Sequence, residues 1–377
     1  MPRRERPDDE APGATGFTRR VQRTGSSSLA ITLPKAWTDS MNLQTGDSLR
    51  FRDLGEGRLE ISPVRSGEPG ARRQKLLRID ATEMPPKLLA RLLIGAYITG
   101  QDQVVVSART ALSVEQRGEI RRTVAHVLGM TVVEEEAGAM EVQNFIDPGK
   151  HHFHRLMGQV VRLLRSELQT CRAVLDGADP AGLHQLAPME DEVDRYYLLM
   201  VRQLLLSSDD FQVARDIGVE SHHYQIGNRL IAKVLEMVGD LTSDVARELG
   251  DHLPGLRRLP KPARASLLTL LAAADRQLEG TMDAFVRLSV VGANAALNEI
   301  EAELAERTTF GDTLARRVSD RGVAVAAQRI VSQLLMTLEM LVIINEVTIN
   351  RSVEPETVAK TDRKVVLDRR DLDSERS

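Results

Sequence analysis

Two carboxylate pairs carry the clearest chemical signal in the chain: Glu190 with Asp194, and Glu236 with Asp240, each spaced by four within a strongly periodic stretch. Residues i and i+4 stack on one helix face, so each pair places two like charges side by side. A bound cation would remove that repulsion. The plainer reading is a solvated acidic stripe, which is what most carboxylates on helix faces are. His151, His152 and His154 could also ligate a metal but read more simply as a surface cluster, while His222 and His223 have no obvious partner. No general acid, general base or phosphate-cradling loop accompanies the acids, so no enzymatic activity is expected and metal-dependent phosphate hydrolysis is disfavoured.

The elements that must carry these acids are helices. From Asp147-Pro148-Gly149 onward the chain is periodic almost to its end, with Met157, Val160, Leu164, Leu168, Cys171 and Leu175 forming one apolar stripe. Cys171 is therefore expected in the core. Ile226, Leu230, Val234, Met237, Leu241, Val245 and Leu249 form a second stripe. Breaks at Gly177 to Pro180, Ser207 to Asp210 and Leu253 to Pro262 cut the first half into three helices. Leu235-Glu236-Met237 is echoed 103 residues later by Leu338-Glu339-Met340, which indicates two three-helix repeats, 150–252 and 256–352.

The front of the chain is different. Residues 1–16 form a charged tail without a hydrophobic period, and 353–377 form another. Between 17 and 65 the alternating runs Leu29 to Leu33, Ser48 to Arg52 and Arg58 to Ile61, with a short helix from Lys35 to Met41, give four short strands and one helical turn. Residues 66–73 read as a linker. The stretch 74–146 alternates strand and helix: strands at Leu76 to Ile79 and Gln103 to Ser107, helices at Pro85 to Ile98 and Val114 to Leu128, then two closing strands. It is expected to be a small α/β linker or dimerisation domain.

Bulk properties set the limits. With 377 residues, 42% hydrophobic and 28% charged, the chain is long enough for several folded units and too apolar for general disorder. Aromatic residues make up only 3%, which suits packed aliphatic helices. A net charge of −4 argues against indiscriminate nucleic-acid binding, so any DNA contact needs a local basic surface. Such a surface exists at 17–65, where eight Arg or Lys face five Asp or Glu. One cysteine excludes an intrachain disulfide and a thiolate zinc cage. The most apolar run, Leu334 to Ile344, is short for a membrane span and is broken by Thr337 and Glu339, so a cytoplasmic protein without membrane insertion is expected.

The run Thr24-Gly25-Ser26-Ser27-Ser28-Leu29-Ala30-Ile31-Thr32-Leu33-Pro34-Lys35, followed by Gly46-Asp47, resembles the AbrB/SpoVT/MazE swapped-hairpin family. The resemblance implies an interleaved β-barrel homodimer that docks on DNA through Arg19, Arg20, Arg23, Ser26, Ser27, Ser28 and Lys35. The segment's small size independently favours a dimer, because alone it buries little apolar surface. The segments Met189 to Asp194 and Leu235 to Asp240 resemble the Glu-x-x-x-Asp motifs of PhoU proteins, regulators of phosphate uptake built from two three-helix repeats. By position the resemblance makes Glu190, Asp191, Asp194, Glu236 and Asp240 metal ligands. An all-carboxylate set would favour Mg²⁺, Mn²⁺ or iron over Zn²⁺. The second repeat departs from the motif, with Ile343 at the echo of Asp240 and Asn298, Glu299, Glu301 and Glu303 on the partner helix. Together these resemblances imply a multidomain DNA-binding regulator of phosphate uptake, repressing transporter genes in response to phosphate status. The alternative they allow is an adaptor between a phosphate ABC transporter and a signalling partner, dimerised by its N-terminal module.

Overall fold

The computed structural model describes residues 18–25, 28–55, 58–64, 75–219, 221–305, 318 and 320–354. The chain divides into two compact units, Met1–Arg73 and Gln74–Ser377.

In the first unit, β1 (Gln22–Thr24) and β2 (Ser28–Ala30) pair antiparallel across a turn at Gly25, whose φ of 77° favours glycine. Pro34 ends the extended run and leads into α1 (Lys35–Ser40). Asn42, at φ 53°, turns the chain out of that helix, and the Gln44 amide donates to the Asp47 carboxylate at 2.8 Å to shape the next turn. β3 (Leu49–Gly55) and β4 (Arg58–Pro63) form a second hairpin, with Phe51 opposite Ile61. The two hairpins belong to separate two-stranded sheets, so the described residues of one chain close no barrel. Of the unit's described residues none is buried, and Leu29, Phe51 and Leu59 are 71%, 59% and 56% exposed.

The second unit opens with β5 (Leu76–Asp80), α2 (Pro86–Ile98), β6 (Gln103–Ser107), α3 (Val114–His126), β7 (Met130–Glu135) and β8 (Ala139–Asn144). The sheet order is β5-β6-β8-β7, with β5 parallel to β6 and the other pairs antiparallel. Alternate strand residues Ile79, Val104, Val106, Met140 and Val142 are buried with Leu89, Leu93, Tyr97, Ile120 and Val124 of the two helices. Ser113 and Gln116 form a reciprocal capping box at the start of α3.

The remainder is helical: α4 (Phe153–Asp176), the short α5 (Ala181–His184), α6 (Ala187–Asp209), α7 (Phe211–Ile217), α8 (His222–Leu256), α9 (Lys261–Arg287), α10 (Val290–Ala305) and α11 (Arg321–Ser352). The long helices fall into two sets of three, α4-α6-α8 and α9-α10-α11, sharing one core. The sets join through like-placed helices, α4 against α9 and α8 against α11. Arg165 of α4 ties to Asp275 of α9 at 2.7 Å, and Arg329 of α11 to Glu248 of α8 at 2.8 Å.

The expected stripe on α4 is buried throughout, from Met157 to Leu175. The expected stripe on α8 is corrected: Ile226 is 74% exposed and Leu230 is 45% exposed, while Ile231, Ala232, Leu235 and Val238 are buried beside Val234 and Val245. The physical reason is that α8 packs against α4 and α6 as well as α11, so it buries more than one narrow stripe. Pro254 sits in the last turn of α8, which ends at Leu256, within the expected break. By length and composition, α11 is the one helix among the described residues able to cross a membrane. Half of its most apolar window is buried in the bundle, and its Asn345 donates to Thr281 of α9 at 2.9 Å.

The α/β layer is part of the helical unit. Arg202 of α6 is fully buried, donates to the Gln101 carbonyl at 3.1 Å and to the Tyr97 carbonyl, and meets Asp102 at 3.3 Å. Its guanidinium lies 5.1 Å from the Tyr97 ring centroid. Gly100, at φ 86°, stands where a Cβ would come within 2.3 Å of Leu206 Cδ2.

Candidate functional site

The acidic pairs meet where α6 crosses α8. Gly239 makes the approach possible: a Cβ there would stand 3.0 Å from Val193 Cγ1. Val193 lies between Glu190 and Asp194 in sequence, and Gly239 lies between Glu236 and Asp240. The crossing therefore brings the two acidic pairs toward each other. Gly239→Val should cost about 1–3 kcal/mol by overpacking this contact. Gly280→Ala, in α9 with nothing within 4 Å of its Cβ position, should gain about 0.5–1 kcal/mol from helix propensity. Chemical denaturation of the two variants checks the contrast.

The electrostatics show the convergence. Partial loss of water, followed by the charges of Glu236 and Asp194 and a smaller push from Glu190, raises the Asp240 carboxyl to about 6, against an attraction from Lys233. Two basic groups already answer part of this charge. Lys233 pairs with Glu236 and lies 5.4 Å from the Tyr197 ring centroid. His126, at the end of α3, stands 3.5 Å from Asp194 and 3.8 Å from Asp191. Its hydrogen bond to Asp194 holds the imidazole above its usual value against the opposing effect of burial. This link is strongest in acid and is lost as pH rises through the raised value.

Among the described residues, no group of three or more His, Cys, Asp or Glu is placed to hold a metal ion. The acids gather on one side of the crossing without forming a ligand cage. A hard cation there would have to compete with Lys233 and His126. In the second set of helices the corresponding acids are matched internally, with Arg276 of α9 meeting Glu303 at 2.7 Å and Gln277 donating to Glu299 at 2.7 Å.

A further acid lies deeper. Glu167 of α4 is 2% exposed and accepts from Thr242 Oγ1 at 2.5 Å and Ser243 Oγ at 3.0 Å. Burial pushes its carboxyl up to about 7, opposed by the two hydroxyls and aided by Glu190. A raised folded-state value favours the native protein fully below the unfolded value near 4.5, and the benefit disappears as pH climbs toward 7. Glu167→Gln should therefore flatten the stability profile between pH 5 and pH 8, by an amount on the order of 3 kcal/mol. Urea titrations at both pH values measure it.

Sequence spacing identified the four acids at the crossing. It missed His126, Lys233 and Glu167, because a lone histidine at a helix end and a glutamate within an apolar stripe carry no periodic mark.

In the first unit, Arg19, Arg20, Arg23, Ser28 and Lys35 are all exposed. Ser26 and Ser27 lie outside the described residues. Arg23 sits opposite Leu29 in the first hairpin, and Lys35 begins α1.

The described part of the first unit is thus a small strand module with separate sheets, open apolar surface and exposed basic residues. Residues 22–69 match the family described as antidote-toxin recognition MazE, a bacterial antitoxin. The N-terminal unit therefore carries a MazE/AbrB-like domain, as its Gly-Ser turn and Leu-Pro-Lys corner suggested. No curated protein and no solved structure matches the chain.

Proposed function

We propose that this protein is a homodimeric, DNA-binding transcription regulator whose helical unit responds to phosphate status. The observation that carries the reading is the MazE/AbrB-like domain, with exposed arginines and no buried residue among those described, in one chain with two sets of three helices. Exposed Leu29, Phe51 and Leu59 give a second copy apolar surface to cover. The paired copies would present Arg19, Arg20, Arg23 and Lys35 from both chains to the phosphates of one duplex. The phosphate half rests on the PhoU-like acid motifs and repeat, and places the protein as a repressor of transporter genes. No step of this reading passes through a metal ion.

The test is to sequence genomic DNA retained by the protein at physiological salt, with ample and scarce phosphate. Selective retention upstream of phosphate-transporter genes, changing with phosphate, supports both halves. Retention that ignores phosphate removes the sensing half.

The family's description in terms of toxin recognition, not of DNA, favours a second reading, in which the N-terminal module only dimerises the chain and the protein is an adaptor for a phosphate transporter and a signalling partner. Absence of sequence-selective DNA retention in the same experiment would select it.

A further inference from the structure

Beside the α6–α8 crossing, a pocket of about 370 Å³ lies between α4, α5, α6 and α8. Its rim is exposed at Pro180, His184, Arg247 and Asp251. Its wall is apolar, from Leu183, Leu186, Ala246 and Leu253, and Glu167 and Ser243 lie at its buried end.

Two hydroxyl donors occupy about half of the acceptor capacity of the Glu167 carboxylate, whose lone pairs can take about four hydrogen bonds. Glu190, a second lining carboxyl, is close enough to act on Glu167 electrostatically. The basic lining residues are Arg247 and His184, both on the exposed rim, and Arg247 meets Asp244 at 2.6 Å. Above pH 7, where Glu167 is ionised, a negative inner end behind an apolar wall complements a molecule with one cationic donor head and an aliphatic body. The lining acids, with Asp251 out on the rim, form no group placed to hold a metal ion among the described residues, and the apolar wall opposes a hydrated cation. The volume lies at the small end of ligand pockets, which limits the body to a few carbons.

We propose that this pocket binds a short aliphatic primary amine, its ammonium group seated on Glu167 and Glu190 and its chain against Leu183, Leu186, Ala246 and Leu253. The site stands independently of whether the N-terminal unit reads DNA.

Saturation-transfer NMR titration of the full chain with n-butylammonium, and separately with n-butanol, tests it. Saturable butylammonium binding is expected, with butanol and the Glu167→Gln variant each weaker by roughly tenfold or more, as loss of a charged hydrogen bond requires. Leu183→Trp, a substitution at a partly buried wall position, should block binding by filling the pocket and tests the site if Glu167→Gln does not fold. Four outcomes overturn the proposal: no saturable binding, equal affinity for butanol, unchanged affinity in folded Glu167→Gln or Leu183→Trp, or Mg²⁺ binding at Glu167 while butylammonium stays silent.

Discussion

Arg202→Ala should destabilise the Gln74–Ser377 unit by about 3–5 kcal/mol, the usual cost of breaking a buried charge pair by deleting one partner. The side chain is wholly enclosed, and its loss would take one donor each from Asp102 and the carbonyls of Tyr97 and Gln101, of which Tyr97 keeps the Gly100 amide at 3.1 Å. Asp102 retains the Lys75 amide at 3.0 Å, which limits the damage on that side. With its amide oxygen facing the guanidinium, Asn144 of β8 also accepts from Arg202 at 2.9 Å, so the loss extends into the sheet. Arg202→Lys should recover only part of the stability, because one ammonium cannot reproduce the planar fork. The protein supplies its own probes: Trp37 is the sole tryptophan and lies in the first unit, whereas all four tyrosines lie in the second. The tyrosine near-UV signal should shift to lower denaturant while the tryptophan signal does not. Hydrogen exchange should show the α/β layer losing protection. A variant with unchanged tyrosine midpoint would show that Arg202 is replaceable filling.

The second large effect is expected on DNA. In a homodimer, Arg20→Ala with Arg23→Ala removes four positive charges. If each arginine neutralises a phosphate, the slope of log affinity against log salt should fall by about 0.9 per contact, or roughly 3.6 in all. At physiological salt that corresponds to a loss on the order of a hundredfold to a thousandfold. Fluorescence anisotropy across a salt series measures slope and affinity together. The loss should be similar for specific and unrelated duplexes, since phosphate contacts position the protein without reading bases. An unchanged slope would take both arginines out of the interface, and a loss confined to one sequence would make them base readers. Both side chains are exposed, so the substitutions should leave the Trp37 signal intact.

Local chemistry made much of the fold legible. The strand-helix alternation at 74–146 was visible because a period of two and a period of 3.6 leave different apolar patterns over five to thirteen residues. The α4 stripe was equally clear, since that helix buries one face. α8 defeated the same reasoning because its apolar residues serve three neighbours, and Ile226 and Leu230 continue a periodic pattern onto surface that the described residues leave partly or largely exposed. The Gly-Ser turn and Leu-Pro-Lys corner marked the N-terminal module because proline locks φ wherever it stands and glycine takes without strain the positive φ that the turn at Gly25 requires.

The four acids divide the two levels in the same way. Their spacing within each helix is set by 3.6 residues per turn, so the primary structure alone determined that Glu190 would stack near Asp194 and Glu236 near Asp240. Whether the two pairs would meet, and what would face them, depended on the angle and depth of the helix crossing. Gly239 against Val193 set that depth, and it brought in His126 from the α/β layer, 65 positions before Asp191 in the chain. Arg202 and Glu167 follow the same rule. Their partners are remote in sequence, and only the packed chain removes water from them and makes those partners energetically decisive.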